Sequence, residues 1–295
     1  MPSCTTNCEP SSRAATFPRV TSPDTSAQPA SASIRLDAAL AERGLARSRT
    51  HAATLIDKGL VRIDGKPVTK ASHKVEASDE ITVDGADHYV SRAAHKLIAG
   101  LDGFEIDVTG KRAFDVGAST GGFTQVLLER GASDVVALDV GRAQISPRLR
   151  SDERVTVVEG VNARSLTRAD LANIIGRDFV ADIVVADLSF ISLTLVLAAM
   201  KACATPVADY VLLIKPQFEV GRTGVREGLV TNPALREDAV NKVLWAAFDL
   251  GLETKGIVSS PILGTTGNHE YVLWLRAGTE NPSQWTQHVH SLTGP

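Results

Sequence analysis

The stretch FDVGASTGGFTQVLLERG, residues 114–131, places a glycine-rich turn between a predicted strand and a predicted helix. The strand ends at Asp115, and the turn carries Gly117, Gly121 and Gly122. Glycines let the backbone adopt positive φ and approach a ligand closely, and the N-terminus of the following helix presents free N–H groups. The pattern therefore predicts a ligand site at the end of this strand.

An acid at the end of the next strand indicates the class of ligand. Asp139 lies 22 residues after Gly117, where a carboxylate can accept hydrogen bonds from a ribose diol, so we expect a nucleoside. No Lys-Ser or Lys-Thr pair follows the glycines, which excludes a P-loop. Asp115, two residues before Gly117, would repel a pyrophosphate but suits a cation such as the amino group of S-adenosylmethionine. A nicotinamide dehydrogenase is the alternative, although the spacing departs from G-x-G-x-x-G.

Strands and helices alternate from residue 112 onward. The strands VVALDV and DIVVADL are nearly all apolar, as expected where helices cover both faces of a sheet. The alternation predicts a doubly wound α/β domain, and the last two strands, which have no helix between them, predict an antiparallel pair at its C-terminal edge. The strand candidates span 112–116, 134–140, 154–160, 182–188, 210–216, 254–260 and 270–277, and the helix candidates span 121–130, 191–202 and 233–250.

Four charged residues lie at element ends near this predicted site. Asp187 and Lys215 end successive strands, in ADLSFISL and LLIKPQFEVG, where ligands of such sheets bind. Glu270 opens the last strand, and Lys96 lies on a helix in SRAAHKL. A lysine at an apolar strand end is costly to desolvate without a partner. We therefore expect the strand-end charges to share one rim of the sheet with the glycine-rich turn.

The front of the chain has a different composition. In residues 1–33, Ser, Thr, Pro and Ala supply 22 of the 33 positions, which predicts a disordered tail. Residues 34–86 predict an α-α-β-β unit whose second helix is capped by Ser48. Between residues 43 and 74 this unit carries eight Lys or Arg against two Asp. That excess indicates either a phosphate-binding face or an ordinary solvated surface.

The whole-chain composition excludes several classes of protein. The 295 residues are 43% hydrophobic and 22% charged with a net charge of −3, which fits a soluble globular protein and excludes a global electrostatic clamp on nucleic acid. We find no secretory signal and no apolar run long enough for a membrane span, and three cysteines cannot form a disulfide framework. Cys4 and Cys8 lack a second pair of metal ligands, so no metal is expected. The protein is predicted to be cytoplasmic.

The motifs DVGASTGGFT, DVGRAQ, VVADLSFISL, KPQFEVG and GNHEY occur in this order, after SRAAHKL and RLDAALAERGLARSRTHA. This series resembles the TlyA family of ribosomal RNA 2′-O-methyltransferases, whose members are also named haemolysins. The resemblance covers roughly residues 34–277. It implies an S4-like RNA-binding domain followed by a Rossmann-like methyltransferase domain similar to the FtsJ fold, with a seven-stranded sheet whose last strand is antiparallel.

The resemblance also implies roles for individual residues. The family's catalytic tetrad would be Lys96, Asp187, Lys215 and Glu270, with Lys215 nearest the acceptor hydroxyl as either a base or a positioning cation. S-adenosylmethionine would be the methyl donor, held by Asp115, Gly117, Ser119, Thr120, Gly121, Gly122, Phe123 and Asp139. Ribosomal RNA in ribosomal subunits would be the acceptor, contacted by Arg35, Arg43, Arg47, Ser48, Arg49 and Lys66.

The resemblance further divides the chain into a tail (1–33), an S4-like domain (34–86), a linker (87–94) and a methyltransferase domain (95–295). We expect a monomer. Two alternatives stay open: a non-catalytic RNA- or ribosome-binding protein that keeps the fold, and a membrane-active haemolysin. The filled tetrad weighs against the first alternative. Against the second, we find neither a cationic amphipathic helix nor a spanning segment.

Overall fold

The computed structural model describes residues 33–46, 48–83, 88–221 and 224–294. The tail predicted for residues 1–33, including Cys4 and Cys8, therefore lies outside the described residues except for its last position. Arg47 also lies outside them.

The N-terminal unit packs two helices against short strands. Ser48 caps its second helix, since its hydroxyl accepts a hydrogen bond from the backbone N–H of His51 at 3.2 Å. The first helix begins at Leu36 and not at Ile34, where the predicted α-α-β-β unit starts, because Ile34 pairs with Val75 in a two-stranded ladder. The elements are β1 (Ile34–Arg35), α1 (Leu36–Glu42), α2 (Arg49–Asp57), β2 (Val61–Ile63), β3 (Lys66–Pro67), β4 (Lys74–Val75) and β5 (Ile81–Val83). Its apolar side chains form a core of their own.

The second unit alternates strands and helices as the sequence predicts. The strand at residues 112–116 has the predicted bounds, whereas the one predicted at 210–216 begins six residues earlier, because Ala204 already pairs with Ala181. The predicted helix at 191–202 consists of a 3₁₀ turn, Leu193–Leu195, and a short helix. The elements are α3 (Ala94–Gly103), β6 (Arg112–Val116), α4 (Gly122–Glu129), β7 (Asp134–Asp139), α5 (Pro147–Arg150), β8 (Val155–Glu159), α6 (Arg168–Ile175), β9 (Ala181–Ala186), α7 (Leu197–Ala202), β10 (Ala204–Ile214), α8 (Pro216–Glu219), α9 (Pro233–Asp249), β11 (Leu252–Ser259), β12 (Tyr271–Ala277) and α10 (Thr286–Thr293).

Seven of these strands form one sheet, in the order β11-β12-β10-β9-β6-β7-β8. Strands β6 to β10 pair in parallel, and β12 lies antiparallel between β10 and β11. Because β12 runs the opposite way, its first residues lie at the edge where β6, β9 and β10 end. We call this edge the carboxyl edge of the sheet and the opposite one the amino edge.

Helices cover both faces of the sheet. One face packs against α3 and α4 through side chains such as Leu97, Leu101 and Leu127. The other packs against α7, α9 and α10, where Leu197, Val243 and Val289 are buried. The two cores explain why the central strands are apolar on both sides, and they hold the loops at the carboxyl edge on a rigid base.

Candidate active site

The glycine-rich turn bends the chain sharply between β6 and α4. Gly117 and Gly121 have φ of +87° and +96°, and Ser119 between them also has a positive φ of +48°. A Cβ at Gly121 would lie 2.3 Å from Leu149 Cδ1, so a side chain there meets both backbone strain and a collision. The turn therefore depends on glycine at this position.

Asp139 at the end of β7 holds this turn in place. Its carboxylate accepts hydrogen bonds from the backbone N–H of Ser119 at 2.8 Å and from that of Gly141 at 2.7 Å. The side chain is only partly buried and faces a cavity, so free lone pairs on its oxygens point toward a potential ligand. Asp139 thus joins two loops and keeps capacity for a further hydrogen bond.

Asp115 lies behind the turn rather than on the cavity surface. It is fully buried, and one of its oxygens accepts a 2.6 Å hydrogen bond from the Thr124 hydroxyl, while Oδ1 has no hydrogen-bond partner. Burial raises the pKa of Asp115 to about 7, the Thr124 hydrogen bond partly offsets that effect, and the charges of Asp187 and Asp139 raise the pKa further. The three carboxylates create a region that favours a cationic ligand.

A cavity of about 250 Å³, which we call the lysine cavity, opens in front of the turn. The two predicted lysines and both of their carboxylate partners face it, together with the turn itself. Its lining includes Ser91, Arg92, Lys96, Gly117, Ser119, Thr120, Gly122, Phe123, Asp187, Ser189, Lys215, Ile262, Thr265 and Glu270.

Lys96 on α3 and Glu270 before β12 form a buried ion pair. Lys96 Nζ lies 2.5 Å from Glu270 Oε2, and the side chains are only 9% and 2% exposed. The two residues are 174 positions apart and meet because α3 packs on the sheet beside β12. A buried pair of this kind holds its geometry firmly, since neither charge can be left alone without a large desolvation cost.

Lys215 and Asp187 form the second ion pair, at the ends of the adjacent strands β10 and β9. Lys215 Nζ lies 2.6 Å from Asp187 Oδ1 and also donates a 3.0 Å hydrogen bond to the hydroxyl of Ser189. Both ion-paired side chains are partly exposed to the cavity. The four charges thus form two matched pairs with no net charge.

A second cavity of about 580 Å³, the Asp139 cavity, lies on the other side of the turn. Apolar side chains such as Leu138, Val140 and Ile191 line much of it. The two cavities share four residues: Gly117, Ser119, Asp187 and Ser189. The two cavities therefore adjoin at these four residues.

The loops after β9 and β10 are joined beyond the Asp187–Lys215 pair. The buried Glu219 carboxylate accepts hydrogen bonds from the Ser192 hydroxyl at 2.5 Å and from the backbone N–H of Leu193 at 2.8 Å. Between these contacts the rings of Phe190 and Phe218 lie 5.3 Å apart. Phe190 is 91% exposed and has a φ of +67°, a strained conformation for a bulky residue.

Three residues near the tetrad were not among the predicted site residues: Ser189, Phe190 and Glu219. All three stand inside quoted motifs, ADLSFISL and KPQFEVG, so their proximity to Asp187 and Lys215 along the chain was the available signal. Their contacts depend on which strands are neighbours in the sheet, and this is why residue type alone did not indicate them.

In the N-terminal unit, Asp37 organises part of the basic surface. Its carboxylate pairs with Arg35 Nε at 2.9 Å and with Arg49 Nη2 at 3.0 Å, and these guanidinium groups lower the pKa of Asp37 to about 2. Arg43 donates 2.6 Å hydrogen bonds to the carbonyl oxygens of residues 76 and 79 and so braces a loop. Lys66 is exposed on β3. Three of these basic residues thus already have structural partners.

The predicted site residues fall into clear groups. All four tetrad residues and most of the turn face the lysine cavity, Asp139 faces the second cavity, and Asp115 and Gly121 face neither. In the described part of the chain, no group of three or more His, Cys, Asp or Glu side chains is arranged to hold a metal ion. None of the described helices combines the length and the apolar character that a bilayer-spanning segment needs.

Comparisons with known proteins match both units. The family model described as FtsJ-like methyltransferase matches residues 89–277, and the S4 domain model matches residues 34–81. A curated 16S/23S rRNA (cytidine-2′-O)-methyltransferase, TlyA of Mycobacterium tuberculosis, is 51% identical over 249 residues, covering 83% of this chain and 91% of the relative. Hemolysin A of Brachyspira hyodysenteriae is 38% identical over 240 residues, covering 81% and 98%.

A solved structure of similar architecture comes from Streptococcus thermophilus and carries a hemolysin name. It aligns with a TM-score of 0.67 and 32% identity, and covers 90% of this chain and 96% of its own. These matches agree with the doubly wound sheet, its antiparallel last strand and the small N-terminal domain.

Proposed function

The chain belongs to the TlyA family of S4-domain, FtsJ-like methyltransferases, and from this premise we propose that it methylates the ribose 2′-hydroxyl of a cytidine in ribosomal RNA. The relatives from Mycobacterium tuberculosis and Campylobacter jejuni are both named as rRNA (cytidine-2′-O)-methyltransferases. The observation that carries the proposal is that two cavities adjoin at four shared residues, because a transfer enzyme must bring a donor and an acceptor face to face.

S-adenosylmethionine fits the Asp139 cavity as the donor. The carboxylate of Asp139 suits a ribose diol, the apolar lining suits an adenine ring, and the nearby carboxylates of Asp115 and Asp187 suit a cation. When bound, S-adenosylmethionine supplies a methyl group activated by a sulfonium centre with a neutral leaving group. Gly117 and Ser119 would hold it by close backbone approach.

The lysine cavity fits the acceptor ribose. Lys215 lines the lysine cavity, and its partners Asp187 and Ser189 line both cavities. The Nζ of Lys215 would therefore orient the acceptor hydroxyl toward the donor. Alignment of two reactants contributes on the order of several kcal/mol, so orientation is the main task of the site. Lys96 and Glu270 would form the opposite wall as a fixed pair.

Two roles for Lys215 fit this geometry, namely a base and a positioning cation. A base must be neutral when the hydroxyl loses its proton, and the transfer rate then rises with pH until Lys215 is deprotonated. A positioning cation gives a rate that falls when Lys215 loses its charge. A pH–rate profile at saturating donor therefore separates them.

The acceptor class is supported by the N-terminal unit. Its S4 match and its exposed basic residues, including Lys66, suit the phosphates of structured RNA. An apolar core of its own supports the S4-like domain proposed at 34–86, whereas the core of the second unit already includes Ala94 and packs against Tyr89 and Val90 of the proposed linker at 87–94.

The test is methyl transfer from labelled S-adenosylmethionine to separated 30S and 50S subunits, comparing the wild type with Lys215→Ala. Lys255→Ala is the matched control, because Lys255 is also paired with a carboxylate, that of Glu253, but lies toward the amino edge. We expect label in rRNA at one ribose whose 3′ linkage resists alkaline hydrolysis, with loss of at least a hundredfold in Lys215→Ala and unchanged transfer in Lys255→Ala.

Two outcomes would contradict the proposal. No label in either subunit, with donor binding intact by calorimetry, would indicate another acceptor or a non-catalytic protein. Full transfer by Lys215→Ala would show that the acceptor site has been assigned to the wrong residue.

A further inference from the structure

The arginines of the methyltransferase domain differ sharply between the two edges of the sheet. At the amino edge beneath β6 to β9, four arginines each have a carboxylate partner that lies just before or at the start of a strand. These pairs are Arg112–Asp182 at 3.0 Å, Arg154–Asp152 at 2.8 Å, Arg168–Asp178 at 2.6 Å and Arg177–Asp134 at 2.7 Å. Their charges are locally neutralised.

At the carboxyl edge, three arginines that follow β7 and β8 have no such partner. Arg142, Arg148 and Arg164 are exposed, and within the described ranges their guanidinium groups make no hydrogen bond or ion pair to another residue. Arg150 differs from them, because it pairs with Glu159 at 2.8 Å. We call Arg142, Arg148 and Arg164 the β7/β8 arginine rim.

The rim is held close to the cavities. A Cβ at Gly160 would lie 2.6 Å from Arg142 Nη2, so this guanidinium lies against the Gly160 backbone. The neighbours of Arg164, Asn162 and Ala163, line the Asp139 cavity. Leu149, next to Arg148, touches the glycine-rich turn at Gly121.

The segment that carries the rim is also fixed at its base. Glu159 accepts a 3.1 Å hydrogen bond from the backbone N–H of Gln144, and backbone N–H groups and Arg150 lower its pKa to about 2. The Glu159 carboxylate is therefore already committed to the backbone and to Arg150. It leaves the three positive charges of the rim unneutralised.

We propose that the β7/β8 arginine rim is a second RNA-binding surface, separate from the S4-like unit, that holds phosphates flanking the target nucleotide. This inference rests on the proposed function, since a ribose in the lysine cavity brings its neighbouring phosphates to the carboxyl edge of the sheet. Guanidinium groups bind phosphates through several N–H donors and place RNA without reading its sequence. The amino edge, where the charges are paired, would make no such contact.

The test compares two triple variants of the full chain that change the net charge equally. The rim variant is Arg142→Gln, Arg148→Gln, Arg164→Gln, and the control variant is Arg154→Gln, Arg168→Gln, Arg177→Gln. Binding to separated 30S and 50S subunits is measured by filter retention from 50 to 300 mM KCl without donor. Calorimetry with S-adenosylmethionine checks that each variant keeps its fold and its donor site.

For the rim variant, we expect Kd for the bound subunit to rise about tenfold or more. The slope of log Kd against log salt should fall by about 2, since each phosphate contact contributes about 0.7 to 0.9. The control variant should match the wild type in both quantities. Donor affinity should be unchanged in both variants.

An unchanged Kd and salt slope in the rim variant would overturn the inference. An equal loss of subunit affinity in the control variant would overturn it as well, because net charge alone would then explain the effect. A folded rim variant that has lost donor binding would overturn it too, because the arginines would then serve the donor cavity. Methyl transfer is scored separately. A wild type that binds subunits through the rim but transfers no methyl group would refute the proposed function alone.

Discussion

Replacement of Asp115 by Asn should stabilise the protein at high pH, although this residue stands in the motif that decides the fold. The carboxyl group is fully buried, and its pKa is raised from 3.8 to about 7. Well below pH 4 the group is protonated in both the folded and the unfolded chain and contributes no pH dependence. Between pH 4 and 7 only the unfolded chain ionises, so the wild type loses stability as the pH rises.

The size of this loss of stability follows from the shift in the pKa of Asp115. A difference of about 3 pKa units at 1.36 kcal/mol each corresponds to at most about 4 kcal/mol at pH 8. An Asn keeps an acceptor for the Thr124 hydroxyl but places an amide where Asp115 Oδ1 has no partner, at a cost of about 1–3 kcal/mol. That cost does not depend on pH, so the variant should be more stable than the wild type by about 1–3 kcal/mol at pH 8. Between pH 4 and 8, the difference between the free energies of unfolding of the two proteins should still change by up to about 4 kcal/mol.

The assay is urea unfolding of the wild type and Asp115→Asn at intervals from pH 4 to 8.5, with Asp249→Asn as the control for an exposed carboxylate. We expect the free energy of unfolding of Asp115→Asn, relative to the wild type, to rise steadily between pH 4 and 7 and then level off. A difference that stays flat within about 1 kcal/mol would refute the argument that burial holds this carboxyl group protonated.

Donor binding gives a second readout for the same variant. A cationic ligand favours the ionised form of Asp115, so donor affinity in the wild type should increase from pH 5.5 to 7, where the amino group of the donor stays protonated. In Asp115→Asn the affinity should be lower and independent of pH over this range. Isothermal calorimetry measures both, and parallel pH profiles for the two proteins would contradict the electrostatic role.

Three further changes test other parts of the site. Glu270→Ala should lower the free energy of unfolding by about 3–5 kcal/mol, because it leaves Lys96 buried without a partner. The double variant with Lys96→Met should recover much of that stability without recovering methyl transfer. Urea unfolding and the transfer assay measure the two quantities. Gly121→Ala should lower the free energy of unfolding by about 1–3 kcal/mol and weaken donor binding, since its Cβ would meet Leu149 at a positive φ. Thermal unfolding and calorimetry measure the two effects, and no change in either would contradict this prediction. Glu219→Gln should lower kcat more than tenfold while the unfolding temperature shifts by only a few degrees. The reason is that a buried carboxylate acceptor, which joins the loops after β9 and β10, is replaced by an amide. Equal losses of stability and activity would indicate a purely structural role.

Much of the fold was predictable because its signals are local. The apolar runs of β7 and β9, the glycines of the turn and the cap at Ser48 are each visible within a few residues, and the structure confirms these elements. The bounds that were wrong depend on distant partners. Ile34 forms a strand because Val75 is beside it, and β10 begins early because Ala204 pairs with Ala181.

The sequence by itself determined which chemical groups this protein carries and at which edge of the sheet most of them lie, because strand ends and parallel order follow from the alternation of elements. Only the tertiary structure decided how those groups pair. Lys96 meets Glu270 because β12 runs antiparallel beside β10, and Lys215 meets Asp187 because β10 neighbours β9. The same packing put Asp115 behind the turn, where burial changes its pKa. Pairing and burial depend on strand order and on the density of the core, which no single stretch of sequence contains.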